Sequence, residues 1–322
     1  MTFNIFNRPL GIMFHHFHDD AKYKPGQGSL STTDFEDILE YLGHERILSA
    51  EVWAERALEN RLSPEDLCLT FDDALRCQYD IALPVLRRLG LTAFWFIYTA
   101  TLSGGAPALE AYRKFRCEYY DTVDDFYGLF FQIAANQIPE GRVIRALREF
   151  PANYLAEFKF YSETDRKFRY LRDRILGPKE YKNVMDRMIA SRGVTAKELV
   201  ADVWLEPNHI KVLKEEGHVI GLHSHSHPTL LEAEAPDEQY AEYKSNLDIL
   251  SDLTRARPFT MAHPCNSYSN TTLDILSGLG IKLGFRSNMV KASNSLLELP
   301  REDAVEIRNR CRTGSVNHAP IA

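Results

Sequence analysis

Leu67-Cys68-Leu69-Thr70-Phe71-Asp72-Asp73 is a short, mostly apolar run that stops at two adjacent carboxylates. Such a run, bounded by polar residues, reads as a strand buried on both faces. Working outward, Ile81 to Leu89 reads as a helix that Gly90 ends, and Thr92 to Tyr98 as another buried strand. Strand, helix and strand at these lengths make a βαβ unit, so a parallel sheet is expected. Upstream, Leu10 to Phe17 reads as a first strand that meets His15, His16 and His18, and Ser31 or Thr32 caps a helix through Phe35, Ile38, Leu39 and Leu42. Downstream of Pro207 the same rhythm returns. The expected elements there are a helix over 210–216, a strand over 218–222, a helix over 240–253, a strand over 259–262, a helix over 271–279 and a last clear strand over 281–285. Loops at the carboxyl ends of such strands are where parallel sheets place their chemistry.

A second stretch, Gly221-Leu222-His223-Ser224-His225-Ser226-His227-Pro228, closes an apolar run with alternating histidines. Carboxylate and imidazole together suit zinc and neighbouring transition metals. Adjacent strand residues point to opposite faces, so Asp72 and Asp73 read as one ligand and one base rather than a chelating pair. The competing reading is that they only cap a helix starting near Ala74. Fully extended, His223 and His227 would lie about 13 Å apart, so the chain must turn for both to reach one ion. Pro228 disfavours a helical His-x-x-x-His. On residues alone, His223 with His225 is an equally open pair.

Composition narrows the function. Net charge is −7 and the sequence pI near 5.9, which implies no basic surface for nucleic acid. Five scattered cysteines, Cys68, Cys77, Cys117, Cys265 and Cys311, lack C-x-x-C spacing and read as free thiols of a reducing compartment. No basic, then apolar, leader starts the chain and no uncharged run reaches the roughly 20 residues of a membrane span. A cytoplasmic protein without a membrane span is the expectation. From 102 to 195 the texture turns helical, aromatic and charged, and reads as an insertion whose Phe126, Phe130, Phe131, Tyr154, Phe158 and Tyr161 form a core of their own. The whole of 1–322 is otherwise expected to be one catalytic domain.

Thr70-Phe71-Asp72-Asp73 and His223-Ser224-His225-Ser226-His227-Pro228 resemble the first and second motifs of the polysaccharide deacetylase family, carbohydrate esterases with a NodB-like domain. The likeness runs from about Leu10 to Tyr98 and from about Glu206 to Phe285. It implies an α/β fold, a distorted (β/α) barrel with a helical insertion, and metal-dependent removal of an acyl group, N-acetyl foremost, from an amino sugar or glycan precursor. It makes Asp72 the general base and Asp73, His223 and His227 the ligands of a divalent metal, zinc or another transition ion. His225 then falls to the cleft wall, beside the substrate. In the third motif Pro264 is present, and the backbone N–H of Cys265 would help hold the oxyanion. Ala262 and Asn266 stand where that motif has Arg and Gly, so Asn266 and Pro264 are expected to touch substrate while the partner of Asp72 is missing. Phe14-His15 resembles the Tyr-His of some members, which makes His15 a candidate for the site; His263 is undecided. His318 is a poor match to the family's late histidine. Two further readings are hydrolysis of a non-sugar amide or cyclic imide on this fold, and a carbohydrate-binding protein with a degenerate site.

Overall fold

The computed structural model describes residues 8–105, 107–139, 141–156, 161–290 and 295–313, so Phe158 and His318 lie outside the described residues. The chain divides into two compact units: Met1–Gly105 with Trp204–Ala322, and Ala106–Val203.

The first unit is built on seven parallel strands. These are β1 (Leu10–Phe14), β2 (Leu67–Phe71), β3 (Phe94–Ile97), β4 (Val219–Leu222), β5 (Thr260–Ala262), β6 (Leu283–Phe285) and β7 (Arg301–Asp303), in the order β6-β5-β4-β3-β2-β1-β7. The register sets Phe14 beside Phe71, Phe71 beside Trp95 and Ile97 beside Leu222. The chain just before β7 also meets β6, through a Phe285–Leu299 bridge. The strands therefore form a nearly closed barrel, with helices α1 (Thr32–Leu42), α2 (Ala50–Leu58) and α3 (Leu83–Leu89) linking its first three strands.

Every residue of β1 to β6 is buried, as strands covered on both faces must be. Rings meet across the interior between strands that are not neighbours in the sheet: Phe96 of β3 and Phe285 of β6 have centroids 5.5 Å apart. Trp53 of α2 packs on Phe285 at 5.3 Å and on Phe94 at 6.0 Å, filling one end. On the other face of β3, Trp95 stacks on Phe71 at 4.5 Å.

The second unit is helical: α4 (Ala108–Glu118), α5 (Val123–Gln137), α6 (Arg142–Arg148), α7 (Glu163–Tyr170), α8 (Gly177–Ser191) and α9 (Ala196–Leu199). Its core is aromatic. Phe126, Tyr127 and Phe130 of α5 meet Phe168 of α7 at 5.6, 4.9 and 4.8 Å, and Tyr181 of α8 adds to the cluster. Burial of such rings dominates the stability of a small helical unit. The chain then returns to the barrel unit, whose remaining helices are α10 (Pro207–Glu215), α11 (Pro236–Thr254), α12 (Asn270–Gly278) and α13 (Ala304–Thr313).

Two expectations change. The first strand ends at Phe14, so His15 lies beyond it. Leu283–Phe285 is not the last strand: β7 follows, and its polar Arg301-Glu302-Asp303 gave no apolar signal to read. No described helix is long and apolar enough to cross a membrane, and none of the five cysteines is in a disulfide.

Candidate active site

Strand β2 ends at Phe71, and Asp72 adds one more ladder bond by donating its N–H to the Phe14 carbonyl at 3.1 Å. The backbone then turns sharply, with φ of 74° at Asp73 and 54° at Ala74. Two left-handed non-glycine residues in a row are costly, about 1–3 kcal/mol each. The turn is pinned from outside: Leu205 donates to the Ala74 carbonyl at 2.8 Å and Trp204 bridges Leu75. Because the chain has left the strand, the opposite-faces rule no longer applies. Neither carboxylate caps a helix, and both come within reach of one side chain, His15 Nε2, at 3.8 Å from Asp72 and 3.9 Å from Asp73.

The histidine stretch is bent in the same way. Past β4, Ser224 and His227 take φ of 60° and 58°, and Ser224 Oγ accepts the His227 N–H at 3.1 Å. The His223 and His227 rings come to 4.9 Å between centroids. His225 turns away, its Nδ1 3.0 Å from Thr99 Oγ1. The rival pair His223 and His225 therefore does not converge, whereas Asp73, His223 and His227 do: their ligand atoms lie within 4.8 Å of one another.

These three residues suit a cation. The Nε2 atoms of His223 and His227 each sit 3.3 Å from Asp73 Oδ1. Ligands about 2.0–2.1 Å from a tetrahedral zinc lie roughly 3.3–3.4 Å from each other. His223 Nδ1 is 2.8 Å from the Ala262 carbonyl, which can only accept, so Nδ1 carries the proton and Nε2 presents its lone pair. Asp73 Oδ1 is buried without a hydrogen-bond partner. A buried carboxylate oxygen in that state calls for a positive charge. Burial works against the ionised form, but the neighbouring His223 and His227 imidazoles outweigh it and hold the Asp73 carboxyl well below the usual range. At His227 burial is likewise outweighed by Asp73, and its pKa is raised.

Asp72 has a different partner. Arg301 of β7, with no exposed surface, grips it with two parallel bonds of 2.7 Å. The guanidinium is fixed in turn by the Arg286 carbonyl at 2.6 Å and Thr70 Oγ1 at 3.2 Å. Gly11 makes room for it: a Cβ there would lie 3.1 Å from Arg301 Cγ. Burial pushes the Asp72 carboxyl up, yet the charges of Arg301, His223 and His15 bring it below the ordinary value. Arg301 is the functional residue that the sequence did not disclose. It supplies from β7 the carboxylate partner absent at Ala262, and a lone Arg after Leu299-Pro300 carries no local signal.

The segment after β5 follows the Ala262 carbonyl that His223 faces. Pro264 is buried and Cys265 exposed, with φ of 51° and 56° at Cys265 and Asn266. Asn266 Oδ1 accepts the Ser287 N–H at 3.1 Å, so that oxygen braces a neighbouring loop rather than projecting freely. His263 is buried, with Nε2 bonded to the Leu297 carbonyl at 2.8 Å and its ring stacked on Tyr268 at 4.1 Å. His15 also lines a cavity of about 190 Å³ together with His16, Gly28 and Asp303.

No curated protein sequence matches the chain. The sequence profile described as polysaccharide deacetylase matches residues 177–284, which include the histidine stretch but not Asp72 and Asp73. Among solved structures, the fold is similar to that of Streptococcus pyogenes deacetylase PplD in complex with acetate, at 19% identity, TM-score 0.56 and 92% of each chain covered. It is similar also to a de-N-acetylase from Aggregatibacter actinomycetemcomitans, at 11% identity and TM-score 0.54 over 91% of this chain and 94% of that one. A third is IcaB from Ammonifex degensii, at 14% identity and TM-score 0.53 over 95% and 97%. The chain thus matches the polysaccharide deacetylase profile over the histidine stretch and the residues around it, and shares its barrel fold with these solved structures.

Proposed function

We propose that this chain is a metal-dependent hydrolase that removes an acetyl group from an N-acetylated amino sugar of a glycan. The observation that carries the reading is the orphaned, buried Asp73 Oδ1 between two histidine Nε2 atoms, next to a separate carboxylate gripped by Arg301. Asp73, His223 and His227 would hold the ion, zinc being the simplest. Such an ion supplies Lewis acidity toward the acyl carbonyl and lowers the pKa of the attacking water.

The chain's own residues do the rest. Asp72 takes the water proton, and its depressed pKa keeps it in the accepting form. A carboxylate so held is a weak base, which is why it needs acidified water to act upon. Arg301 keeps both Asp72 oxygens aimed, so the carboxylate does not swing to the metal side. His15, about one-third exposed and facing both carboxylates, is the residue we assign to hand a proton to the departing sugar amine. The Cys265 N–H is assigned to the carbonyl oxygen as its charge develops.

A sugar-binding protein with a degenerate site would have no use for a carboxylate buried against an arginine, and no observation favours the imide reading. The test is acetate release from N-acetylglucosamine oligomers by protein loaded with zinc, cobalt or manganese. Release that stops on chelation and returns with metal is expected. No release with any of the three ions, from any oligomer length, would contradict the proposal.

A further inference from the structure

The five-residue stretch from His223 to His227 holds a shape that backbone hydrogen bonding alone does not give it. It contains two left-handed residues, Ser224 and His227. Strain of that kind persists only where the surroundings over-determine it. The surroundings here are two side chains of α11, Glu242 and Asn246, one turn apart and on one face.

Asn246 has no exposed surface. Its Oδ1 accepts the His223 N–H at 2.9 Å, while its amide nitrogen donates to the Ile97 carbonyl at 2.8 Å and Thr99 Oγ1 at 3.1 Å. Glu242 accepts three bonds from the middle of the stretch: the His225 N–H at 2.9 Å, the Ser226 N–H at 2.8 Å and the Ser226 hydroxyl at 2.7 Å. The far face is tied as well, because the His225 carbonyl accepts the N–H groups of Thr99 and Ala100 at 3.1 and 2.8 Å. The stretch thus hangs from α11 at its first, third and fourth residues. Its last residue, His227, follows through Ser224 Oγ.

We infer that Glu242 and Asn246 are positioning residues that set the separation of the His223 and His227 Nε2 atoms, and through it the affinity for the metal. The inference rests on the reading of Asp73, His223 and His227 as ligands. Neither residue is bonded to the ligand atoms, and the link runs through backbone N–H groups and the Ser226 hydroxyl. Groups that orient ligands from behind commonly change metal affinity about 10–100-fold when removed.

The experiment is calorimetric titration of zinc alone into metal-free protein, beside the metal-free melting temperature. Glu242 is half-buried on the loop side of its helix, so Glu242→Ala should fold and melt within a few degrees of wild type. Its zinc affinity should nevertheless fall at least tenfold. Glu242→Gln keeps one acceptor oxygen for the N–H pair and should recover most of that loss. Asn246→Ala should weaken zinc similarly, and Asp248→Ala, on the exposed side of α11, should leave it unchanged. Unchanged affinity in Glu242→Ala and Asn246→Ala, with zinc binding by wild type intact, would overturn the inference alone. A fall in affinity only where metal-free melting also collapses would show a merely structural role and overturn it too. Failure of the wild type to bind zinc would overturn the ligand reading, and the inference with it.

Discussion

At the scale of single residues, Asp72 carries its charge where almost no water reaches it, and Arg301 makes that tolerable. The two 2.7 Å bonds form a planar fork that lysine cannot reproduce. Arg301→Lys should keep the fold and the zinc yet lower kcat at least tenfold, because Asp72 is then held by a point charge. Arg301→Met leaves the carboxylate buried and unpaired, which costs about 3–5 kcal/mol. Urea unfolding of both variants beside acetate-release kinetics checks this; wild-type kcat in Arg301→Lys would contradict it. Asp72, Asp73 and His223 stood out as candidates because they close apolar runs, whereas His227 was singled out over His225 only by the motif resemblance. Arg301 was not, since it is 229 positions from Asp72 and only the barrel's near-closure brings them together. His225 was ambiguous, because its direction depends on the positive φ at Ser224, which an L-residue sequence does not announce.

At the scale of elements, β4 and β5 are each flanked by a buried neutral histidine. His218 precedes β4 and its Nδ1 accepts the Ala93 N–H at 3.0 Å; His263 follows β5 and bonds the Leu297 carbonyl. Burial is the main cause that pushes both imidazoles down to about 4. In the unfolded chain each takes its proton near 6.5. Between those values the unfolded state binds more protons, so stability rises with pH. The contribution is full above about pH 6.5 and is lost as pH falls toward 4, up to about 3 kcal/mol for each histidine. His227 in the metal-free protein has a raised pKa and works in the opposite sense. The comparison to make is therefore urea unfolding of metal-free wild type and His218→Gln at pH 7, 5.5 and 4.5. The wild type should lose more stability than the variant on acidification, and equal losses would count against this account. Most of the strands and helices could be read because strands buried on both faces are nearly continuous apolar runs. Strand β7 could not: it has three polar residues, and its register comes from pairing with β1 alone.

At the scale of the whole molecule, the two units have separate cores, and the three tryptophans, Trp53, Trp95 and Trp204, all belong to the barrel unit. The aromatic texture of the insertion was visible in sequence, with its bounds read as 102–195 where the helical unit spans Ala106–Val203. The shift at the far end has a cause: α9 prolongs the helical run, and the barrel resumes only where Trp204 pairs with Leu75. Tryptophan fluorescence therefore follows the melting of the barrel. A ligand that binds only the folded state raises its stability by about 2.7 kcal/mol at a hundredfold excess over its Kd. Zinc should raise the fluorescence melting temperature of wild type by several degrees and that of His227→Ala hardly at all. An equal rise in both would point to zinc held elsewhere.

The division of labour between two neighbouring carboxylates is the central claim, and Asp72→Asn tests it most directly. Elemental analysis and acetate release are measured on the same metal-loaded sample. The substitution is nearly isosteric, so the account predicts one zinc per chain, as in wild type, and turnover reduced on the order of 10²–10⁴-fold. Turnover within a few-fold of wild type, or loss of the zinc together with the activity, would contradict it.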